Sequence, residues 1–170
     1  MPTRTRNAPA IAIKYEGELM LFDCGEGTQR QIRISKESPM KIMKILISHW
    51  HGDHVLGLAG LIQSFAQASR IKPLEIFGPR GTIRFLKLII DALNINADFE
   101  IRVHEVTRGT ILETKRYKIL CEPVDHNIEA LAYAFVEKER PGKFYPDKAL
   151  ALGVPRGPLW KKLQEGRLEL

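Results

Sequence analysis

The sequence predicts an α/β layered fold, and three observations predict it. Short apolar runs of strand length alternate with two segments of clear helical period. The chain has 170 residues, 44% hydrophobic and 27% charged, an ordinary composition for a globular domain. A chain of this length buries roughly 70% of its unfolded surface, enough for a real core. The same numbers exclude a collagen, a low-complexity tail and a disordered chain. No apolar run reaches the ~18 residues of a membrane-spanning helix, so no membrane is expected.

The elements follow in order. Ala10–Tyr15 and Glu18–Asp23 read as strands around a Glu16-Gly17 turn. Asp23 to Thr28 is a glycine-rich loop, and a helix is expected from Thr28 to Ile34, stopping before Pro39. Lys44–Ser48 is a continuous apolar run bounded by polar residues, hence a buried strand. A helix is expected from Val55 to about Ser69, with Leu58, Leu61, Ile62, Phe65 and Ala66 on one face. Leu74–Phe77 is the next strand and Gly78-Pro79-Arg80-Gly81 a turn. Thr82 is the expected cap of a helix running to about Leu93. Residues 99–106, 116–124 and 130–136 read as strands. Residues 138–170 hold four prolines and four glycines among many charges, with one or two helical turns near Leu159–Leu163. They read as an arm, against a body of residues 1–137.

The formal charge is +6, and residues 138–170 carry eight Lys/Arg against four Asp/Glu. Most of the positive excess therefore lies in the last fifth of the chain, where it suits an anionic partner. Cys24 and Cys121 are too few for a disulfide scaffold. They fit free thiols in a reducing cytoplasm, with a single bridge between them as the alternative. The opening residues lack the apolar stretch of a secretory signal.

The chemistry concentrates in His49-Trp50-His51-Gly52-Asp53-His54, which follows a buried strand. His49 and His51 alternate by two, so both imidazoles can face one point. Gly52 permits a tight turn. Asp53 and His54 then open the next helix and can face a second point beside the first. Imidazoles with a carboxylate are good zinc ligands, although this set accepts several divalent ions. Two ions about 3.5–4 Å apart can clamp a phosphodiester and activate water at neutral pH. His126, after another strand, can complete the first shell. His104 has no partner nearby in sequence and reads as structural.

The His-x-His-x-Asp-His pattern resembles the metal motif of the metallo-β-lactamase fold. Its flanks narrow the resemblance. Pro2-Thr3-Arg4-Thr5-Arg6-Asn7, Leu21-Phe-Asp-Cys-Gly-Glu-Gly-Thr-Gln29, Ile47-Ser-His-Trp-His-Gly-Asp-His-Val-Leu-Gly-Leu58 and Gly78-Pro79 are similar to ribonuclease Z, the tRNA 3′-processing endonuclease family. The resemblance implies an αββα sandwich, of which only the first β-sheet half with its helices is expected here. It implies two zinc ions per complete active site, the first on His49, His51 and His126 and the second on Asp53 and His54. Asp53 would also be the catalytic general base. Asp23 to Gln29 would line the floor of the site. Arg4, Arg6, Gln29, Lys143, Arg156, Lys161 and Lys162 would bind substrate, with Lys148 and Arg167 also in the basic arm. Precursor tRNA is the implied partner, cleaved to leave a 3′-hydroxyl, by a protein that commonly forms homodimers.

That family places a further aspartate and a late histidine on the metals, and this sequence holds no histidine after His126. It also opens at Met1 directly before Pro2, where the family has a preceding strand. The expectation is a chain truncated at both ends, with a weak second metal position and an apolar face left uncovered. Activity is then expected of the complete protein rather than of this chain alone. A small-substrate phosphodiesterase and a non-catalytic tRNA-binding half remain the alternatives.

Overall fold

A computed structural model describes residues 3–166. Met1, Pro2 and Arg167 lie outside the described residues. Five strands form the first sheet: β1 (Ile11–Tyr15), β2 (Glu18–Phe22), β3 (Ile42–Leu46), β4 (Leu74–Gly78) and β5 (Ile101–Glu105), side by side in that order. β1 and β2 form an antiparallel hairpin, and β2 through β5 run parallel. Parallel neighbours need long crossovers. Helix α1 (Thr28–Ile34) lies in the first of them. The next two carry α2 (Gly52–Val55) with α3 (Gly57–Gln67), and then α4 (Thr82–Ala92).

A second sheet stands behind the first. It joins β6 (Gly109–Glu113), β7 (Tyr117–Val124) and β8 (Ala130–Glu137), all antiparallel. The expectation of a single sheet is therefore corrected. The alternation of residues 99–106 and 116–124 looks alike in sequence, yet the first pairs with β4 and the second turns into the new sheet. β6 was not expected at all, because its five residues are only half-buried and carry no clean alternation.

Successive side chains on a strand point to opposite faces, and this builds two core layers. Leu19, Leu21, Ile45 and Ile76 face the helices and pack on Ile32, Leu58, Leu61, Ile62, Phe65 and Leu86. Met20, Leu46 and Phe77 face the second sheet and pack on Tyr117 and Ile119. Burial on both faces explains why β3 reads as an unbroken apolar run. Its ladder is Ile42–Leu46, with Ile47 and Ser48 as the extended exit.

Other boundaries shift for local reasons. The expected helix from Val55 is two pieces joined at Leu56, with α2 starting at Gly52. Thr82 does not cap α4. The cap residue is Gly81 at φ 91°, and the Thr82 hydroxyl instead donates to the Pro79 carbonyl at 2.6 Å. In the arm, two short helices form, α5 (Pro146–Ala151) and α6 (Pro158–Gln164). Each has proline in its first turn, where a missing N–H costs nothing. Phe144 and Trp160 meet at 5.0 Å between them.

Cys24 and Cys121 are both free and buried. Burial pushes their thiols up, to about 12 and about 11 respectively, so neither is a ready nucleophile. The outer strand β1 leaves Ile11 65% exposed. Beside it a cleft of about 300 Å³ is lined by Ile11, Ile13, Phe22, Leu131, Tyr133 and Phe135. No helix among the described residues is long and apolar enough to cross a membrane.

The helix layer meets the Asp23–Gly27 loop without spare room. A Cβ on Gly57 would stand 2.2 Å from the Gly25 carbonyl oxygen. Gly57→Ala is expected to cost about 3 kcal/mol and to lower the melting midpoint by about 6–12 °C in thermal denaturation. A variant that melts with the parent would show that the two backbones have slack.

Candidate metal centre

Three imidazoles converge at the end of the sheets. His49 and His51 leave β3 on the extended stretch before α2, and His126 follows β7. His49 Nε2 lies 3.0 Å from His51 Nδ1, and His126 Nε2 lies 3.2 Å from the same atom. One ligand atom from each of the three falls within 4.8 Å of the others. His49 is buried, His51 half-buried and His126 exposed, so the cluster opens to solvent on one side.

The surrounding hydrogen bonds assign the ring protons. Ser48 Oγ lies 2.9 Å from Asp23 Oδ2 and 2.9 Å from His49 Nδ1. The hydroxyl donates to the carboxylate and accepts from His49 Nδ1–H. The lone pair of His49 is thereby left on Nε2, aimed at the cluster. His54 Nδ1 lies 2.7 Å from Asp23 Oδ2 and donates to it. Its Nε2 is then free and stands 3.6 Å from Asp53 Oδ2. Burial, then the neighbouring His54, His126 and His51, push the His49 pKa down against the pull of Asp23. The neutral ring that ligates a metal is the favoured form.

The donor set fits a metal ion. His51 Nδ1 stands 3.0 Å from one imidazole nitrogen and 3.2 Å from another, and all three ligand atoms lie within 4.8 Å. One shared proton cannot serve both contacts at His51 Nδ1. Ligands on tetrahedral zinc, at about 2.0–2.1 Å from the ion, stand about 3.3 Å apart. Asp53 and His54 form a second, adjacent pair. Asp53 is 47% exposed and reaches solvent. Among the described residues no other group of three or more possible ligands occurs.

Asp23 was expected only to line the floor of the site. Its role is larger. Its backbone sits at φ 61°, an unusual conformation for a non-glycine residue. There it accepts from the Ser48 backbone N–H at 2.7 Å as well as from the Ser48 hydroxyl and His54. One carboxylate thus orients two rings. The signal for this was the aspartate ending β2 beside the strand that delivers the histidines, but only the parallel pairing of β2 and β3 makes it a partner.

The other expected residues are placed as follows. The Gln29 amide donates to Ser64 Oγ on α3, so it ties α1 to α3. Arg4 and Arg6 are exposed in a turn closed by Thr3 N–H to Arg6 C=O at 2.7 Å. Lys143, Lys148, Arg156, Lys161 and Lys162 are exposed in the arm, and among the described residues none of them makes an ion pair. His104 lies apart from the cluster, stacked on Phe77 at 4.5 Å, as a structural histidine does.

The metallo-beta-lactamase superfamily pattern matches residues 3–120. The chain belongs to that superfamily. Within it, the chain is 48% identical over 170 residues to ribonuclease Z of Thermococcus gammatolerans, which covers 99% of this chain and 54% of the relative. The chain thus spans about half the length of the curated relatives it matches. Its fold superposes on human tRNase Z, short form, with a TM-score of 0.75 and 30% identity over 82% of this chain and 62% of that one. A diphosphatase of the PhnP family matches at TM-score 0.62 and 26% identity, over 76% of this chain and 49% of that one. The superfamily match ends before His126, so that ligand rests on the geometry.

Asp23→Asn keeps the shape of the side chain and weakens its grip on the ring protons. It is expected to lower zinc affinity about 10–100-fold in chelator competition. Unchanged affinity would show that Ser48 and packing alone hold the rings.

Proposed function

We propose that this chain carries the metal-ligating part of a zinc-dependent tRNA 3′ endonuclease. The observation that carries the reading is the meeting of His49, His51 and His126 beside the Asp53–His54 pair. The relatives named ribonuclease Z and the likeness to human tRNase Z support the substrate. Two zinc ions would be held, one by the three imidazoles and one by Asp53 and His54. When bound, they would polarise a phosphoryl oxygen and make water a nucleophile at neutral pH.

The reaction is hydrolysis at the 3′ trailer of precursor tRNA. Water attacks phosphorus, the bond to the tRNA 3′ oxygen breaks, and the tRNA keeps a 3′-hydroxyl while the trailer keeps the phosphate. Asp53 is the proton acceptor, because its exposed carboxylate stands beside His54, whose ring adjoins that of His49. His54, oriented by Asp23, stands beside it. The cleavage needs the longer protein that the relatives represent, assembled as a homodimer in the cytoplasm.

The domain reading is a catalytic body of residues 1–137 and a tRNA-binding arm of residues 138–170. The exposed Lys148, Arg156, Lys161 and Lys162, without an ion pair among the described residues, support it. Such side chains bind phosphates without reading sequence and make affinity salt-dependent. The exposed N-terminal Arg4 and Arg6 are further proposed phosphate contacts. Gln29, tied to Ser64 on α3, is held at the start of α1 and remains a proposed tRNA contact.

A second reading, a non-catalytic tRNA-binding half that works with another chain, is favoured by the two-ligand set at Asp53 and His54. Metal counting separates the two: about two zinc ions per chain support catalysis by this centre, and one with tRNA binding intact supports the half.

In the protein that cleaves precursor tRNA, Asp53→Ala is expected to lower cleavage about 10²–10⁴-fold while tRNA binding persists. Loss of binding in step with activity would remove Asp53 from the proton-accepting role. A small phosphodiester cleaved as fast as tRNA would instead favour a small-molecule hydrolase. Replacing Lys161 and Lys162 together by alanine is expected to weaken tRNA binding and to reduce the salt slope by about 1–2. An unchanged slope in a binding titration would take the arm out of the interface.

A further inference from the structure

We infer that Trp50 is a positioning residue that sets the spacing of the metal ligands by anchoring their loop to helix α4. The inference rests on the metal reading above. Trp50 lies between His49 and His51 and turns to the opposite side of the extended chain. Its ring stacks nearly flat on Phe85 of α4, with centroids 4.4 Å apart and 12° between planes. Its indole N–H donates to Thr82 Oγ1 at 3.3 Å. That hydroxyl is fixed in turn, since it donates to the Pro79 carbonyl at 2.6 Å and Thr82 is fully buried.

The Gly78-Pro79 element makes this anchor possible. A Cβ on Gly78 would stand 2.5 Å from Thr82 Oγ1, so any other residue would displace the hydroxyl that receives the indole. The motif thus acts on the metal loop from the C-terminal end of β4, beside the exit of β3.

The loop needs such an anchor. Among the described residues, the main chain of His49 and Trp50 makes no backbone–backbone hydrogen bond. His49 is held through its ring by Ser48. His51 is held on its C-terminal side, where its carbonyl accepts from the His54 N–H at 2.9 Å, and Trp50 holds the chain just before it. A metal site tolerates little error in ligand placement, and the Trp50–Phe85–Thr82 contact is the fixed point on the other side of the chain.

The test measures metal binding by the 170-residue chain, not turnover. Zinc affinity is read by chelator competition, and site geometry by the visible absorption of bound cobalt(II). Trp50→Ala is expected to weaken zinc on the order of tenfold, as loss of an outer-shell support does, and to change the cobalt bands. Trp50→Phe keeps the stack and is expected to restore most of the affinity. Phe85 is 42% exposed, so Phe85→Ala is expected to stay folded and to weaken zinc in the same direction. It decides the matter if Trp50→Ala does not fold. Parent affinity and parent cobalt bands in Phe85→Ala or Trp50→Ala would overturn the inference. So would a loss that merely tracks the unfolded fraction in circular dichroism. Failure of the unaltered chain to bind zinc would instead overturn the metal reading itself.

Discussion

His126 lies 75 residues after His51, yet the two ring nitrogens stand 3.2 Å apart. That contact depends on the two sheets being locked face to face. The lock has an apolar part, Met20, Leu46 and Phe77 against Tyr117 and Ile119. It also has two directed hydrogen bonds at the exit of β3. Leu131 N–H donates to the Ser48 carbonyl and the Tyr133 hydroxyl donates to the Ile47 carbonyl, each at 2.9 Å. Burial pushes the Tyr133 pKa up, so the phenol keeps the proton that it donates. Apolar burial supplies attraction without direction. The hydrogen bonds supply the register that brings β7 and its following loop over the histidines.

A charged group stands inside the same interface. Lys44 is nearly buried, with Glu18 at 3.2 Å and Glu75 at 3.8 Å. Burial pulls its pKa down, but Tyr117, Glu18 and their hydrogen bonds outweigh it and the net direction is up. The ammonium therefore stays charged and paired. Removing both glutamates would strand the ammonium beneath the sheet, whereas either one alone leaves it a partner. This explains a lysine in the middle of an otherwise apolar strand.

The centre itself combines rigid and open sides. On the helix side, Cys24 N–H reaches the His54 carbonyl at 2.8 Å and Gly57 N–H reaches the Cys24 carbonyl at 2.9 Å. Glycines at 25 and 57 let those backbones touch. Asp23 holds its left-handed conformation within this net, a cost that an over-determined surrounding can carry. On the other side His126 and Asp53 are exposed to solvent. In the arm, Lys148, Lys161 and Lys162 lie on the short helices α5 and α6, and Phe144 and Trp160 pack together beside them.

The sequence by itself determined the period of each main strand and helix and the identity of the chemical cluster. Both are local properties: alternation, helical spacing, and a histidine pair two residues apart after a buried run. It also carried the motif-level resemblance that the superfamily match supports. Tertiary structure alone decided which strands pair. It divided eight strands between two sheets, because identical alternation is compatible with either. It made Asp23 the partner of Ser48 and His54, and Trp50 the partner of Phe85 and Thr82. Those contacts join segments far apart in the chain, and nothing local encodes the packing that brings them together.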